Sequence, residues 1–226
     1  MANLLVMSAK NPISSYKIMD KFFRAVTADP TTCKMLRVDD KPQLLTSSEL
    51  GDYIESDARS SGLVLTADPG NCHTFVETDK SGRDWFMFSA NIVSGGKPVD
   101  NKLFADFLHM VNSRMENDYH NIADMNPDKR ERFNWLESKL MECSGNTHMR
   151  LMLFDRQLMY VYSNIENAMF YCKDDAFDVS LVSTNPFGDF AWDILPAGKL
   201  CAFENGRCAL HSYKKGRTFL DFGEAV

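Results

Sequence analysis

The chain has 226 residues, 44% hydrophobic and 25% charged, the proportions of an ordinary globular protein rather than a disordered polar chain. No apolar segment reaches the roughly 20 residues of a membrane-spanning helix. A formal net charge of -6 argues against a general nucleic-acid surface, because neutralising phosphates takes a basic face; the densest basic run, Lys214, Lys215 and Arg217, reads as a solvated edge.

The chain opens on an apolar run, Met1 to Ala9, too short for a signal-peptide core, which predicts a buried strand. Chain ends fray unless something ties them down, so a core strand this early is expected where the terminus has a role. Asn11-Pro12 predicts a turn. Ser14 or Ser15 then predicts the cap of a helix to about Thr27, with Ile18, Phe22, Phe23 and Val26 on one face. A short strand is expected over Lys34 to Val38, a turn at Asp39 to Pro42, and a helix capped by Ser47 or Ser48 that carries Leu50, Tyr53 and Ile54.

Leu63 to Thr66 reads as a compact buried strand, and His73 to Glu77 and Trp85 to Val93 as two more, with Gly95-Gly96-Lys97-Pro98 ending the segment. Two helices follow. Leu103, Phe104, Phe107, Leu108 and Val111 mark the first; Asn126-Pro127 caps the second, which places Phe133, Leu136, Leu140 and Met141 on one side. From Met149 the texture turns to short strands over 150–154, 158–162, 168–171, 179–183, 198–203 and 208–212, with hairpin turns at Arg156-Gln157 and Asn205-Gly206. Pattern alone supports an antiparallel α+β protein, read as one domain over residues 1–226.

The six cysteines, Cys33, Cys72, Cys143, Cys172, Cys201 and Cys208, include no Cys-x-x-Cys pair, and free thiols in a reducing cytoplasm are expected. Cys201, Cys208 and His211 match no zinc spacing, Cys143 with His148 still less, and Asp174, Asp175 and Asp178 read as a solvated turn. Cys72 and His73 are neighbours that a strand would send to opposite faces. No metal or cofactor is expected.

Leu4, Leu5, Met7, Ser8 and Ala9 keep the opening Met-Cys-x-Leu-Leu-x-Met-Ser of the small stand-alone class II glutamine amidotransferases. Asp100, Leu103, Phe104 and Phe107-Leu108 fall where that family has an acidic element leading into a long helix. Leu151 to Asp155 with Leu158-Met159-Tyr160 matches its strand-turn-strand, and Ser183 to Phe187, Trp192, Leu195 to Leu200, Phe203 and Gly206 match its closing motif. On these residues the chain resembles that family. The resemblance implies the N-terminal nucleophile fold, a four-layer αββα sandwich of two mostly antiparallel sheets with helices outside.

The glutamine pocket matches poorly. In the family, residue 2 is a cysteine whose thiol attacks the amide with the α-amino group as base; here it is Ala2. The family's His-x-Arg, which grips the substrate carboxylate through a guanidinium, aligns without gaps on Thr66 and Asp68, and Asp68 would repel a carboxylate. Arg59 is an alternative clamp if the arginine precedes the apolar strand. The oxyanion triplet His-Asn-Gly aligns on Ser89, Ala90 and Asn91, so Ala90 removes a donor; Asn71 to Phe75 partly keeps another family element, and Asp100 alone matches as an amino-group acceptor. A deliberate Cys-to-Ala change would spare the clamp and oxyanion donors, so their joint loss points to decay of the whole site. The expectation is a cytoplasmic binding or regulatory module that engages a protein partner, a small ligand or a second copy of the chain, without membrane contact. The alternative is a glutaminase or amidotransferase whose native residue 2 is Cys, with Arg59 and Asn91 completing the pocket.

Overall fold

A computed structural model describes residues 3–28, 32–39, 41–56, 58–67, 72–78, 84–94, 97–98, 109, 129–145 and 147–212, with backbone alone at 47, 72, 73, 75, 77, 89–94, 97 and 98. In chain order the elements are β1 (Asn3–Ser14), α1 (Tyr16–Val26), β2 (Lys34–Val38), β3 (Gln43–Leu45), α2 (Ser47–Glu55), β4 (Arg59–Ala67), β5 (Cys72–Thr78), β6 (Asp84–Ser94), β7 (Lys97–Pro98), α3 (Lys129–Cys143), β8 (Thr147–Phe154), β9 (Met159–Ser163), β10 (Phe170–Asp174), β11 (Val179–Ser183), β12 (Asp193–Ile194), β13 (Lys199–Glu204) and β14 (Arg207–His211). The first sheet is ordered β12-β10-β11-β1-β4-β2-β3 and the second β14-β13-β9-β8-β6-β5, with β7 folded back on β6. β1 lies inside the first sheet, antiparallel to β11 on one edge and to β4 on the other.

Alternation along the strands sorts the side chains into three apolar layers. Leu4, Val6, Val64 and Val182 meet Phe88, Met152, Phe154, Val161 and Phe203 between the sheets. Leu5, Met7, Leu63 and Leu65 lie under Met19, Phe22, Leu50 and Tyr53 of α1 and α2. Met87, Leu151, Leu153 and Tyr160 lie under Phe133, Leu136 and Leu140 of α3. The order is therefore helices, sheet, sheet, helix, the α+β sandwich expected from the sequence. At about 1.5–3 kcal/mol for each fully buried large apolar side chain, these layers hold the sheets and helices together. No helix among the described residues is long and apolar enough to cross a membrane.

Several local expectations change. Asn11-Pro12 does not reverse the chain: β1 runs through it, with a register shift between Ser8 and Ile13. A proline without an N–H fits such a bulge, where the ladder bond is absent anyway. The helix expected to start at Ser47 or Ser48 is capped one residue earlier, because Thr46 and Glu49 form a reciprocal capping box. Ser15 is the N-cap of α1, but its hydroxyl shares a buried 2.9 Å hydrogen bond with the Tyr53 hydroxyl, joining the two helices on the outer face. Lys97 and Pro98 pair back on Ser94 and Val93, so strand pairing runs on to the end of the run expected to close this sheet segment. The strand expected over 63–66 extends back to Arg59, and β3 and β12, of three and two residues, are too short for alternation to reveal. The helix expected over 103–111 and the cap at Asn126-Pro127 lie outside the described residues, His109 excepted.

On α3, Met141 is 61% exposed while Arg132 is 2% exposed, the reverse of what the hydrophobic pattern implies. The cause is Asp155 in the β8–β9 turn. Arg132 Nε lies 3.0 Å from Asp155 Oδ2, both side chains fully buried, and the Arg132 Nη2 donates to Gln157 Oε1 at 2.7 Å. Asp155 also accepts from the Gln157 and Leu158 amides at 3.0 and 2.7 Å and from the Tyr160 hydroxyl at 3.0 Å. Burial works against the Arg132 charge, but Asp155 and Tyr160 outweigh it and hold the guanidinium pKa above its ordinary value. Burial and then the Asp155 charge push the Tyr160 hydroxyl well above its own.

At one end the sheets are clasped. The β13–β14 turn uses positive φ at Asn205 (51°) and Gly206 (75°), the pair a type I′ hairpin needs. The Gly206 N–H donates to Ser8 Oγ at 3.1 Å, and Ser180 Oγ donates to the Gly206 carbonyl at 2.9 Å. A Cβ on Gly206 would sit 1.8 Å from the Asp178 carbonyl oxygen.

Two outcomes are expected in chemical denaturation. Gly206→Ala lowers stability by about 2 kcal/mol or more, from strain and overlap together. Arg132→Met costs about 3–5 kcal/mol by leaving Asp155 buried without its cation, and adding Asp155→Leu restores part of that loss.

Candidate functional site

The start of β1 is pinned on both sides. Asn3 lies opposite Ala67 and Leu4 opposite Thr66 of β4. The Leu4 N–H donates to Thr184 Oγ1 at 3.0 Å and the Thr184 N–H returns to the Leu4 carbonyl at 3.1 Å, while the Asn185 side-chain amide donates to Asn3 Oδ1. Thr184 and Asn185 thus use the closing motif to hold the first strand. Ala2 itself lies outside the described residues.

Thr66 is fully buried. It shares a strand face with Val64, so it points between the sheets, and its hydroxyl donates to the Lys34 carbonyl at 3.3 Å. Asp68 and Asp100 lie outside the described residues. Arg59 is exposed and pairs with Ser14, eight residues along β4 from Ala67; at about 3.3 Å per residue that is the far end of the strand, so the register does not bring Arg59 to the start of β1. Ala90 lies in β6 directly between Cys72 and Arg150, and Asn91 falls inside the register shift between Ala90 and Val93.

The two sheets can be oriented end to end. Met159 Cε lies against Gly62, where an added Cβ would meet it at 2.3 Å, and the Gly206 clasp falls on Ser8 and Ser180. Phe86, Phe154, Met159 and Phe203, paired in a row across the second sheet, therefore belong to the Ser8 end of β1. The opposite end of that sheet is the row Ala90, Arg150, Ser163 and Lys199, and it belongs with Leu4, Thr66 and Thr184.

Arg150 is the residue that sequence reasoning passed over. Met149 and Leu151 on either side of it face α3, so Arg150 faces between the sheets, with Met152 and Phe154. It is 4% exposed. Ser163 beside it is also buried and donates to the Ile165 carbonyl at 3.3 Å. The signal available in the sequence was a single charge inside Met149 to Phe154, a strand otherwise apolar on both faces.

Three of the thiols are held away from the reactive form. Burial, aided by Asp174, pushes Cys172 up to about 12; burial and Glu142 raise Cys143; a hydrogen bond with Cys201 and then burial raise Cys208 well above the ordinary range. Thiolates are the reactive form, and these shifts all oppose it. The side chains of Cys72 and His73 lie outside the described residues. Burial and then Arg130 lower the His211 pKa. Among the described residues no group of three or more His, Cys, Asp or Glu is placed to hold a metal ion. In the acidic turn, Asp178 faces Lys10 at 3.5 Å, and Asp174 caps the Ala176 amide at 3.0 Å.

No protein-family model matches the sequence, and neither does any curated protein. Solved structures do match. A predicted glutamine amidotransferase from Pseudomonas aeruginosa PA01 superimposes with a TM-score of 0.60 at 14% identity, over 92% of this chain and 99% of that one. A class-II glutamine aminotransferase domain protein from Silicibacter pomeroyi gives 0.51 at 16% identity, over 89% and 94%. The glutamine phosphoribosylpyrophosphate amidotransferase of B. subtilis gives 0.52 at 8% identity, over 90% of this chain and 47% of that one. At these identities the likeness is one of fold, and it is to the class II glutamine amidotransferases.

Thr184→Val is expected to leave the Leu4 amide without its acceptor, costing about 1–3 kcal/mol. The check is hydrogen exchange, in which the Leu4 amide loses protection before the centre of β1 does.

Proposed function

We propose that this protein uses the class II glutamine amidotransferase fold to bind and does not hydrolyse glutamine. The observation that carries the reading is Thr66. At the first position of the aligned His-x-Arg stands a fully buried hydroxyl that donates to the Lys34 carbonyl in place of an imidazole, and the arginine position carries Asp68, whose carboxylate cannot pair with that of a substrate. The sequence supports the same reading: Ala2 carries no nucleophile and Ala90 no side-chain donor. Fold alone does not bring chemistry with it, so likeness to amidotransferases is compatible with a binding role.

The expected result is no ammonia release from L-glutamine above a buffer blank. Restoring the nucleophile with Ala2→Cys should give no covalent labelling by a glutamine-analogue electrophile, because clamp and oxyanion donors are lost too. Turnover by the unaltered protein overturns the reading; labelling of the Ala2→Cys variant favours a site whose sole defect is residue 2.

A further inference from the structure

We infer that Asn205-Gly206 is a covalent modification site, prone to succinimide formation and held shut by the clasp that joins the two sheets; the inference is independent of whether the chain hydrolyses glutamine. This is the only Asn-Gly pair in the sequence. The turn that closes β13 on β14 selects it, because both central residues take positive φ, 51° and 75°, and Asn-Gly is among the pairs that do so at least cost. The same pair lets a backbone nitrogen reach the side-chain amide carbon most freely, since glycine puts no Cβ in the way. Ring closure joins the Gly206 nitrogen to Asn205 Cγ; the N–H proton passes to solvent base and the side-chain amide nitrogen leaves as ammonia. Water then adds to either carbonyl of the succinimide, giving aspartate or isoaspartate.

Asn205 is exposed to solvent base and water, whereas Gly206 is buried, so the block on this reaction lies with the glycine. Its N–H, which must lose its proton, donates to Ser8 Oγ at 3.1 Å, and its carbonyl accepts from Ser180 Oγ at 2.9 Å. A Cβ added to it would lie 1.8 Å from the Asp178 carbonyl oxygen and 3.0 Å from the Lys10 nitrogen, two atoms that are themselves joined by a 3.1 Å hydrogen bond. The Gly206 backbone is thus wedged against β1 and the β10–β11 turn. Turning the 205–206 peptide to bring its nitrogen onto Cγ breaks the Ser8 bond, so the reaction waits for local opening at this end of the sandwich. Isoaspartate carries an extra methylene in the main chain. A two-residue turn of that length does not keep Gly206 in register with both sheets, and a clasp modified while open does not re-form.

The test is peptide mapping by mass spectrometry of the full chain, aged with reductant at mildly alkaline pH and physiological temperature. An isolated peptide of residues 201–211, too short to hold a hairpin by itself, is aged beside it. Asn205 should react at least about tenfold more slowly in the folded chain than in the peptide. Ser8→Ala removes the acceptor of the Gly206 N–H and should raise the rate about threefold to tenfold. It should raise hydrogen exchange of the Gly206 amide by the same factor, because both pass through one opening. If that variant does not fold, Ser180→Ala, which releases the Gly206 carbonyl, takes its place with the same expectation. Aged wild type should melt about 2–4 °C below fresh protein. Asn205→Gly suits the same turn but has no side-chain amide, and should show no such decline. Equal rates in chain and peptide, an unchanged rate in a variant whose Gly206 amide exchange has risen, or an equal decline in Asn205→Gly overturns the inference.

Discussion

β1 is hydrogen-bonded along both edges and buried on both faces, and the rest of the molecule is arranged around that double constraint. Its ladder with β4 and β11 sets the register of the first sheet. Its alternation sends Leu4 and Val6 to the second sheet and Leu5 and Met7 to the helices. A slip of one residue would exchange the two sets, placing Asn3 and Ser8 on the wrong faces. The strand is secured against such slippage at each end, by Thr184 on Leu4 and by Gly206 on Ser8. The two ends of the inter-sheet layer consequently differ. One is closed by the Asn205-Gly206 turn, and the other carries the buried guanidinium.

Among the described residues two arginines are buried, on opposite sides of the second sheet and in different surroundings. Arg132 meets a carboxylate that is itself saturated by two backbone amides and a tyrosine hydroxyl, a closed network that fastens α3 to the β8–β9 turn. Such an arrangement leaves no coordination for a ligand. Arg150 stands on the opposite face of the same sheet, turned toward the first sheet, in a row with Ser163 and Lys199.

The order and type of the described elements were legible because long apolar periodicities survive in a single sequence: α1, β2, α3 and β11 stand where the pattern puts them. Local chemistry was read less well. Thr46 rather than Ser47 caps α2, because a capping box depends on Glu49 three residues on, and Asn11-Pro12 became a bulge because β4 continues alongside it. The burial of Arg132 and exposure of Met141 could not be read at all, since the helix face is chosen by Asp155, 23 residues later.

By itself the sequence determined an antiparallel α+β chain, the likeness of its ends to one family, and the absence of a nucleophile at residue 2, because these depend on residue type and short-range spacing. Tertiary structure alone decided that Thr66 is spent on a neighbouring strand, that Arg59 lies at the far end of β4, and that Arg150 is buried between the sheets. Which face of a strand looks into the sandwich, and which end of one sheet meets which end of the other, follow from pairing between distant segments, and that information is not carried by any local run of residues.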